Sequence, residues 1–415
     1  MNGKTKKRKG LRLLGKILFG LFVLFVILIL TIRTPWAQQL IATEITQFVS
    51  TKTNTKVSVE KAFLTFSGDI QLEKVYLEGK EGDTLLYSGS LQLDLPFYPL
   101  LFKNQLSVDD VVSEGLVANI KRGTNAETFN FSFLLDAFSS PKDTATVSEP
   151  MAITLGDFNF TNWKVSYKDE FLGTDLRLTI GKLATSFDTF NLEQMKYHLS
   201  ELILENTSVF YTQHHAFPQT SDTTNTLLPY IDLEDVVITN LKLKYNSAPD
   251  DLNTNLNLGT LSLTDVLADV SENRYETDHL IWQNSEVDLQ LLGTTADEIE
   301  TNTSSDFAWP EFILSAAEVT VENNTVKFSR NGTSIINKGF GFDPNAFKIQ
   351  QLFLKANDFS YRPKKFNIAV ADFSFLESSG IHLNKLAFEA SLSETEAKLA
   401  DLELLINQSS ANADV

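Results

Sequence analysis

Apolar and polar residues alternate in short segments from about residue 55 onward, and this alternation is the strongest constraint on the fold. Successive side chains of a β-strand point to opposite faces, so strict alternation gives one apolar face and one wet face. Asn, Gly, Asp, Ser and Thr separate the segments, and no long helical pattern interrupts them. We therefore predict a mainly β body over residues 55–408, built as an antiparallel sheet rather than from parallel βαβ units.

A repeat with an offset of 78 residues lies inside this pattern. Residues 155–167 (LGDFNFTNWKVSY) and 233–245 (LEDVVITNLKLKY) share six identities in thirteen positions, and four further positions match as apolar residues. Residues 202–209 and 280–287 keep the same offset. Each copy is predicted as two strands joined by a turn at an asparagine, which adopts the left-handed conformation at small cost. The turns are placed at Asn162, Asn206, Asn240 and Asn284.

The apolar face of this sheet has two interpretations, a closed sandwich core or an open trough that holds a lipid. Alternation does not separate them, because both need one apolar face. The repeat favours the trough, because units that stack along an axis form a long continuous surface. The side chains predicted to line this elongated β-groove, a U-shaped sheet with an apolar interior, are Leu91, Leu93, Leu95, Leu176, Leu178, Ile180, Leu241, Leu243, Tyr245, Val287, Leu289, Leu291, Val319, Val321, Val326, Phe328, Phe366, Ile368 and Val370.

The N-terminal residues have a different composition. Residues 13–32 read LLGKILFGLFVLFVILILTI and contain one charge. Twenty residues at about 1.5 Å each match the roughly 30 Å core of a bilayer. Residues 1–12 are basic and should stay cytoplasmic. We predict a transmembrane helix at 13–32, with the anchoring side chains Leu18, Phe22, Phe25, Ile29 and Trp36.

A cleaved signal peptide is the alternative to this anchor. The uncharged run is slightly longer than usual for such a peptide, and Pro35-Trp36-Ala37 lacks the small residues that cleavage prefers. With the anchor retained, the rest of the chain lies outside the cytoplasm.

Residues 34–52 are predicted to form a short amphipathic helix. It either lies on the membrane or plugs the end of the β body, or it is an ordinary core helix. Its apolar stripe at helical spacing consists of Trp36, Leu40, Ile41, Ile45, Phe48 and Val49.

Three polar segments are candidate loops: residues 139–150, 214–229 and 293–310. They do not divide independent domains, because the repeat runs across the second of them. Residues 409–415 are either a tail or a truncation point.

Charge and motifs exclude several function classes. The net charge is −18, and residues 1–33 hold eight basic and no acidic residues, so residues 34–415 carry −26. Such a body repels phosphate backbones, which argues against nucleic-acid binding. Nucleophile elbows, zinc-protease motifs and phosphate loops are missing from the sequence. The only adjacent histidines are His214 and His215, in a predicted loop. We therefore expect no enzyme activity, no cofactor and no metal site.

Three segments carry a family resemblance: residues 82–95 (GDTLLYSGSLQLDL), 100–122 (LLFKNQLSVDDVVSEGLVANIKR) and 127–138 (ETFNFSFLLDAF). Together with the apolar N-terminal segment and residues 34–41 (TPWAQQLI), they make residues 1–140 resemble the N-terminal part of the TamB and AsmA-like family of Gram-negative envelope proteins. The later repeats are similar to that family only in style.

The resemblance implies a single-pass inner-membrane protein whose periplasmic body is a curled β-sheet with an apolar interior. Members are associated with phospholipid delivery toward the outer membrane and with outer-membrane protein assembly beside a BamA-like barrel. Members of the TamB type end in a characteristic C-terminal domain that meets this partner. We expect a lipid conduit with membrane phospholipid and the inner membrane as partners, and the alternative is an assembly scaffold with a BamA-like partner. A conduit of 25 to 30 strands would extend about 120 to 145 Å.

Overall fold

The structure is a computed structural model of the 415-residue chain. The residues that it describes are 34–64, 69–96, 105–125, 128–138, 152–192, 194–217, 227–293, 309–335 and 341–414, with the isolated positions 19–20, 23, 30–31 and 98–99. The predicted loop 139–150 lies outside them, as do most of 214–229 and 293–310.

The described residues form one twenty-stranded sheet and two short helices. The mainly β prediction is therefore confirmed. The helices are α1 (Pro35–Thr53) and α2 (Ser132–Phe138). The strands are β1 (Val57–Ser58), β2 (Lys61–Leu64), β3 (Asp69–Glu78), β4 (Thr84–Asp94), β5 (Gln105–Glu114), β6 (Val117–Arg122), β7 (Ala152–Asp169), β8 (Thr174–Asn191), β9 (Lys196–Glu205), β10 (Ser208–Gln213), β11 (Tyr230–Ser247), β12 (Leu252–Asp269), β13 (Arg274–Gln283), β14 (Glu286–Leu291), β15 (Ile313–Arg330), β16 (Ala346–Arg362), β17 (Lys365–Glu377), β18 (His382–Ser393), β19 (Ala397–Ile406) and β20 (Ser409–Ala413).

The 78-residue repeat corresponds to a three-row unit. In the first copy, β7 and β8 are antiparallel neighbours, and β9 and β10 together form the third row, because both pair antiparallel with β8. The second copy repeats this arrangement in β11, β12 and the β13/β14 row. Every strand of the first copy begins 78 residues before its counterpart in the second.

The prediction of a purely antiparallel sheet is wrong, because the units join through parallel pairs. The β5/β6 row lies parallel to β7, the β9/β10 row to β11, and the β13/β14 row to β15. An antiparallel neighbour needs only a two-residue turn, whereas a parallel neighbour needs a connection that returns along the strand. The predicted polar loops fall at these three joins, so each next unit starts at the same end of the sheet.

Four pairs of strands share a row (β1/β2, β5/β6, β9/β10 and β13/β14), so the twenty strands make sixteen rows. At about 4.8 Å between rows the described sheet extends roughly 70 Å, well short of the expected 120 to 145 Å. The first row pairs only with β3 and the last strand, β20, pairs only with β19, so the described sheet has two open edges.

A crease crosses the sheet where residues in the left-handed conformation line up. Gly115, Asn162, Asn206, Asn240 and Asn284 have φ values of 69°, 56°, 52°, 54° and 54°. The left-handed conformation predicted for the asparagines is observed. The predicted turn is not, because Asn162 and Asn240 lie inside continuous strands. The crease divides each row of the two repeat units into a long arm and a short arm, such as β9 and β10.

Hydrogen bonds run along the crease from row to row. The Asn206 carbonyl accepts from the Gly181 amide at 3.1 Å, and the Asn240 side chain donates to Asn206 Oδ1 at 3.2 Å. Gly181 is required at this point, because a Cβ there would lie 2.7 Å from the Asn206 Cβ. The hydrogen bonding of the sheet therefore continues along the crease, and the crease is not a break in the sheet.

A buried ion pair holds the first parallel join. Arg122 and Asp169 are register partners on β6 and β7, and the Asp169 side chain is completely buried. Its carboxylate accepts from Arg122 Nε at 3.0 Å, from the Leu172 amide at 3.0 Å and from Tyr167 Oη at 2.9 Å. Burial alone would raise the pKa of Asp169, but the hydrogen bonds from Arg122, Leu172 and Tyr167 outweigh it and hold the pKa below its usual range.

Helix α1 begins and ends at well-formed caps. The Thr34 side chain accepts from the Ala37 amide at 3.3 Å, Pro35 occupies the first turn, and Asn54 is left-handed at the C-terminus. The helix docks on β1 and β2 through small residues, with Ala37, Ala42 and Thr53 buried.

The predicted apolar stripe of α1 does not form a core. Most of its large side chains are exposed, and Trp36 is 70% exposed. Phe48 contacts α2 through Phe138, with ring centroids 6.4 Å apart, yet both rings remain half exposed. The four stripe residues exposed in this way are Trp36, Leu40, Ile45 and Phe48.

Most of the predicted transmembrane segment 13–32 lies outside the described residues, including the anchors Leu18, Phe22, Phe25 and Ile29. Among the residues that are described, no helix is long and apolar enough to cross a membrane.

Replacing Asp169 with Asn should destabilise the fold by about 3 kcal/mol, because the partly buried Arg122 guanidinium loses its fully buried counter-charge. Chemical denaturation measures this change. The pKa of Asp169 is lowered by folding, so its contribution to stability is present above about pH 4 and is lost as the pH falls through the folded-state value. The Asp169→Asn variant should lack that part of the acid dependence. Glu73→Gln, which breaks the solvent-exposed Lys61–Glu73 pair, is the control and should change stability little.

Replacing Asn240 with Val should destabilise the sheet by about 1–2 kcal/mol, since a β-branched residue tolerates the left-handed conformation poorly. Asn240→Gly should retain most of the stability, because glycine adopts this conformation freely. Thr239→Val, at the preceding extended position, is the matched control. Equal denaturation midpoints for Asn240→Val and Asn240→Gly would show that the crease conformation contributes nothing.

Candidate functional site

One line of register partners, which we call the central row, runs across the strands and has one member in each of the sixteen strand rows. Direct partners in a β-ladder project from the same face, so the row is a continuous strip of side chains. Every member is apolar except Ser113, which is buried. In order from the first edge to the last, the central row is Ala62, Leu72, Leu91, Ser113, Phe160, Leu183, Leu204, Ile238, Leu261, Trp282, Val321, Leu354, Phe373, Leu386, Leu404 and Ala411.

Two further rows flank the central row. The long-arm row lies two residues farther along the long arm and contains Ile70, Leu93, Val111, Phe158, Thr185, Leu202, Val236, Leu263, Leu280, Val319, Ala356, Val370 and Phe388. The short-arm row lies across the crease and contains Val57, Leu77, Leu86, Ala118, Val165, Leu178, Val209, Leu243, Leu256, Val287, Val326 and Ile349.

Aromatic contacts show that the rows on both sides of the crease share one face. Phe160 and Trp163 flank Asn162, and their rings stack with centroids 4.0 Å apart. Phe158 and Phe160, two residues apart on the long arm, are 5.6 Å apart. Because the left-handed Asn162 reverses the alternation, Phe160 and Trp163 lie on the same side of the sheet although they are three residues apart. We call this side the apolar face.

Most side chains of the apolar face are not fully buried in the described part of the chain. The substantial contacts between strands all join hydrogen-bonded neighbours. Most members of the three rows are partly exposed, and the fully buried apolar cluster is small, formed by Leu199, Leu233 and Val236. In a closed sandwich most of these side chains would be fully buried, so their partial exposure favours the open trough.

The opposite face is polar and acidic. Along the short arm its register partners include Lys164, Thr179, Ser208 and Lys242. Along the long arm an acidic row runs through Asp69, Asp94, Asp110, Asp157, Ser186, Glu201 and Asp235.

One member of the acidic row, Asp94, has a shifted pKa. Burial, followed by the nearby charges of Asp69, Asp109 and Asp110, raises the pKa of Asp94 above its usual value. The negative charge of the body therefore lies partly in a strip on the face opposite the apolar one.

Most predicted lining residues fall on the apolar face. Leu91 and Val321 belong to the central row. Leu93, Val319 and Val370 belong to the long-arm row, and Phe366 and Ile368 alternate on the same side of β17 as Val370. The short-arm row contains Leu178, Leu243, Val287 and Val326.

The remaining predicted residues lie beside these rows. Leu176, Tyr245, Leu289 and Phe328 are two residues farther along the short arm, and Leu291 is farther still. Ile180 and Leu241 lie next to the crease. Leu95 follows the last residue of β4 and belongs to no row.

Sequence alternation missed the long-arm residues next to the crease. The alternation changes phase at the crease. The residues before it (Phe158, Phe160, Val236 and Ile238) are out of phase with those after it (Trp163 and Leu241), so a strict period of two assigns them to the other face. The sequence signal that connects the two sets of residues is the Thr-Asn pair at 161–162 and 239–240. The left-handed asparagine of each pair shifts the phase of the alternation.

Comparison of the sequence with known protein-family models and with curated proteins gives no match. The candidate site therefore rests on its own geometry, which is an apolar face about 70 Å long whose described side chains are mostly partly exposed.

Proposed function

We propose that this chain is an inner-membrane-anchored periplasmic protein whose apolar face carries phospholipid between the inner and outer membranes of a bacterium. The observation that carries the proposal is the central row, which is apolar in fifteen of its sixteen members and whose side chains are mostly only partly buried among the described residues. The family resemblance of residues 1–140 supports the same function.

The apolar face suits acyl chains rather than a compact ligand. Burial of apolar surface contributes about 25 cal/mol per Å², so a lipid tail lying across several rows is held without any polar contact. The central row crosses every strand row and the two flanking rows cross most of them, so the face stays apolar from strand to strand. A lipid can therefore move along the sheet, with its headgroup toward water, and no covalent chemistry is required.

The position of α1 supports a placement of the β1/β2 edge near the membrane. The helix follows the predicted transmembrane segment 13–32 and packs on β1 and β2, the first row. It leaves Trp36, Leu40 and Phe48 exposed beside that row. Trp at the membrane interface is a common anchor. We place the β1/β2 edge at the inner membrane. Transfer then proceeds along the sheet toward the β20 edge.

Charges on the apolar face should block lipid binding, whereas charges on the polar face of the same strands should not. Leu178→Glu with Leu256→Glu places two carboxylates in the short-arm row. Thr179→Glu with Asn257→Glu, the matched control, places them one residue away on the opposite face. Mass spectrometry of the purified chains should show at least a fivefold loss of bound phospholipid in the first variant alone. Equal lipid content in two variants that melt alike would contradict the proposal.

A photo-cross-linking amino acid should distinguish the two faces directly. Val209 lies in the short-arm row, and Phe210, the next residue, lies on the polar face beside Arg177. A benzophenone side chain at position 209 should capture phospholipid in cells, and the same side chain at position 210 should not.

The second candidate function is a scaffold for outer-membrane protein assembly with a BamA-like barrel partner. The open edge at β20 favours it, because its five residues are all exposed and, in the described residues, pair with β19 alone. Exposed strand edges can pair with another chain. Capture of protein instead of lipid at position 209 would favour the scaffold over the conduit.

A further inference from the structure

Four side chains of the polar face converge where the first repeat unit joins the second. They are Asp188 on β8, His198 on β9, and Asp232 and Glu234 on β11. His198 Nε2 lies 3.5 Å from Asp188 Oδ2 and 3.7 Å from Glu234 Oε1. The ligand atoms of Asp188, His198 and Glu234 all lie within 4.8 Å of one another.

The register explains why residues distant in sequence meet here. His198 and Asp232 are direct partners across the parallel β9–β11 pair. A register shift between Phe187 and Thr189 leaves Asp188 as an unpaired residue beside His198. Such bulges re-aim a side chain relative to its strand. The parallel join therefore brings together groups from three neighbouring rows.

The cluster carries an excess of negative charge. Three carboxylates surround one imidazole, and among the described residues His198 is the ion-pair partner of all three. Even a protonated imidazole would leave a net charge of about −2, and Asp188 and Glu234 are side by side although they repel. A bound divalent ion removes that repulsion.

The two ring nitrogens of His198 have different surroundings. Nδ1 lies 3.2 Å from Asp232 Oδ2, while Nε2 faces the other two carboxylates. In a metal-bound histidine one ring nitrogen usually donates to a carboxylate while the other binds the metal, and the position of Asp232 beside Nδ1 fits that arrangement.

We propose that Asp188, His198 and Glu234 bind a divalent transition metal of the zinc type, with Asp232 as the positioning residue for the imidazole. Zinc bonds of about 2.1 Å place neighbouring tetrahedral ligands about 3.4 Å apart, close to the two measured nitrogen–oxygen distances. One nitrogen and two carboxylate ligands leave a fourth position for water. The imidazole favours a transition metal over Ca²⁺ or Mg²⁺, which prefer oxygen ligands.

The ion would join β8, β9 and β11 across the parallel pair between the repeat units. This role is independent of lipid binding, because the cluster lies on the face opposite the three apolar rows. The chain contains no cysteine, so no thiolate competes for the metal.

The test is calorimetric titration of the chelator-treated full chain with Zn²⁺. The wild type should bind one equivalent that His198→Ala, Asp188→Asn and Glu234→Gln abolish, and Asp232→Asn should weaken binding about 10- to 100-fold. Zn²⁺ should also raise the melting temperature of the wild type but not of His198→Ala.

The control is His279→Ala. His279 Nε2 lies 3.6 Å from Glu318 and its Nδ1 lies 3.0 Å from Thr264 Oγ1, so it is an exposed histidine that, among the described residues, forms an ion pair with one carboxylate. This variant should bind Zn²⁺ as the wild type does. Unchanged binding in both His198→Ala and the isosteric Glu234→Gln would overturn the proposal. So would tighter binding of Ca²⁺ than of Zn²⁺, or the absence of a stoichiometric site in a folded chain.

Discussion

Lateral backbone hydrogen bonding between neighbouring strands holds this structure together. In a β-sandwich, two sheets bury each other's apolar faces, and much of the stability comes from that burial. Here the substantial strand contacts of the described residues join hydrogen-bonded neighbours, so each row depends mainly on the row before it and the row after it. This is the energetic pattern of a repeat protein. It explains why so few apolar side chains are fully buried, and why an apolar face can remain available to a ligand.

The features of this sheet that depend on local chemistry could be predicted from the sequence. Alternation indicates strands, and the 78-residue offset indicates the unit, which the strands reproduce residue for residue from β7 to β14. The left-handed asparagines were also predictable, because few other residues tolerate that conformation. Most of the predicted lining residues fall on one face, since alternation is reliable within a single arm of a strand.

Features that depend on long-range pairing were missed. Nothing in the local sequence of β9 or β11 indicates that they lie parallel, and only the length of the polar connection between them points in that direction. The phase shift at Asn162 and Asn240 hid the long-arm half of the apolar face, because the expected turn implied a reversal of the chain. The His198 cluster could not be predicted for the same reason. Its residues are far apart in the sequence, and the parallel pair brings them together in space.

The parallel joins have a consequence for how such a protein can change in length. Because each connection returns the chain to its starting end, every three-row unit has the same polarity, with its long arm, crease and short arm aligned with those of the unit before it. Duplication of one unit would add about 14 Å to the sheet and leave its cross-section unchanged. Length and cross-section are thus separate properties of this architecture: evolution can match the reach of the sheet to the distance it must cover by copying or losing whole units, without redesigning the surface that they share.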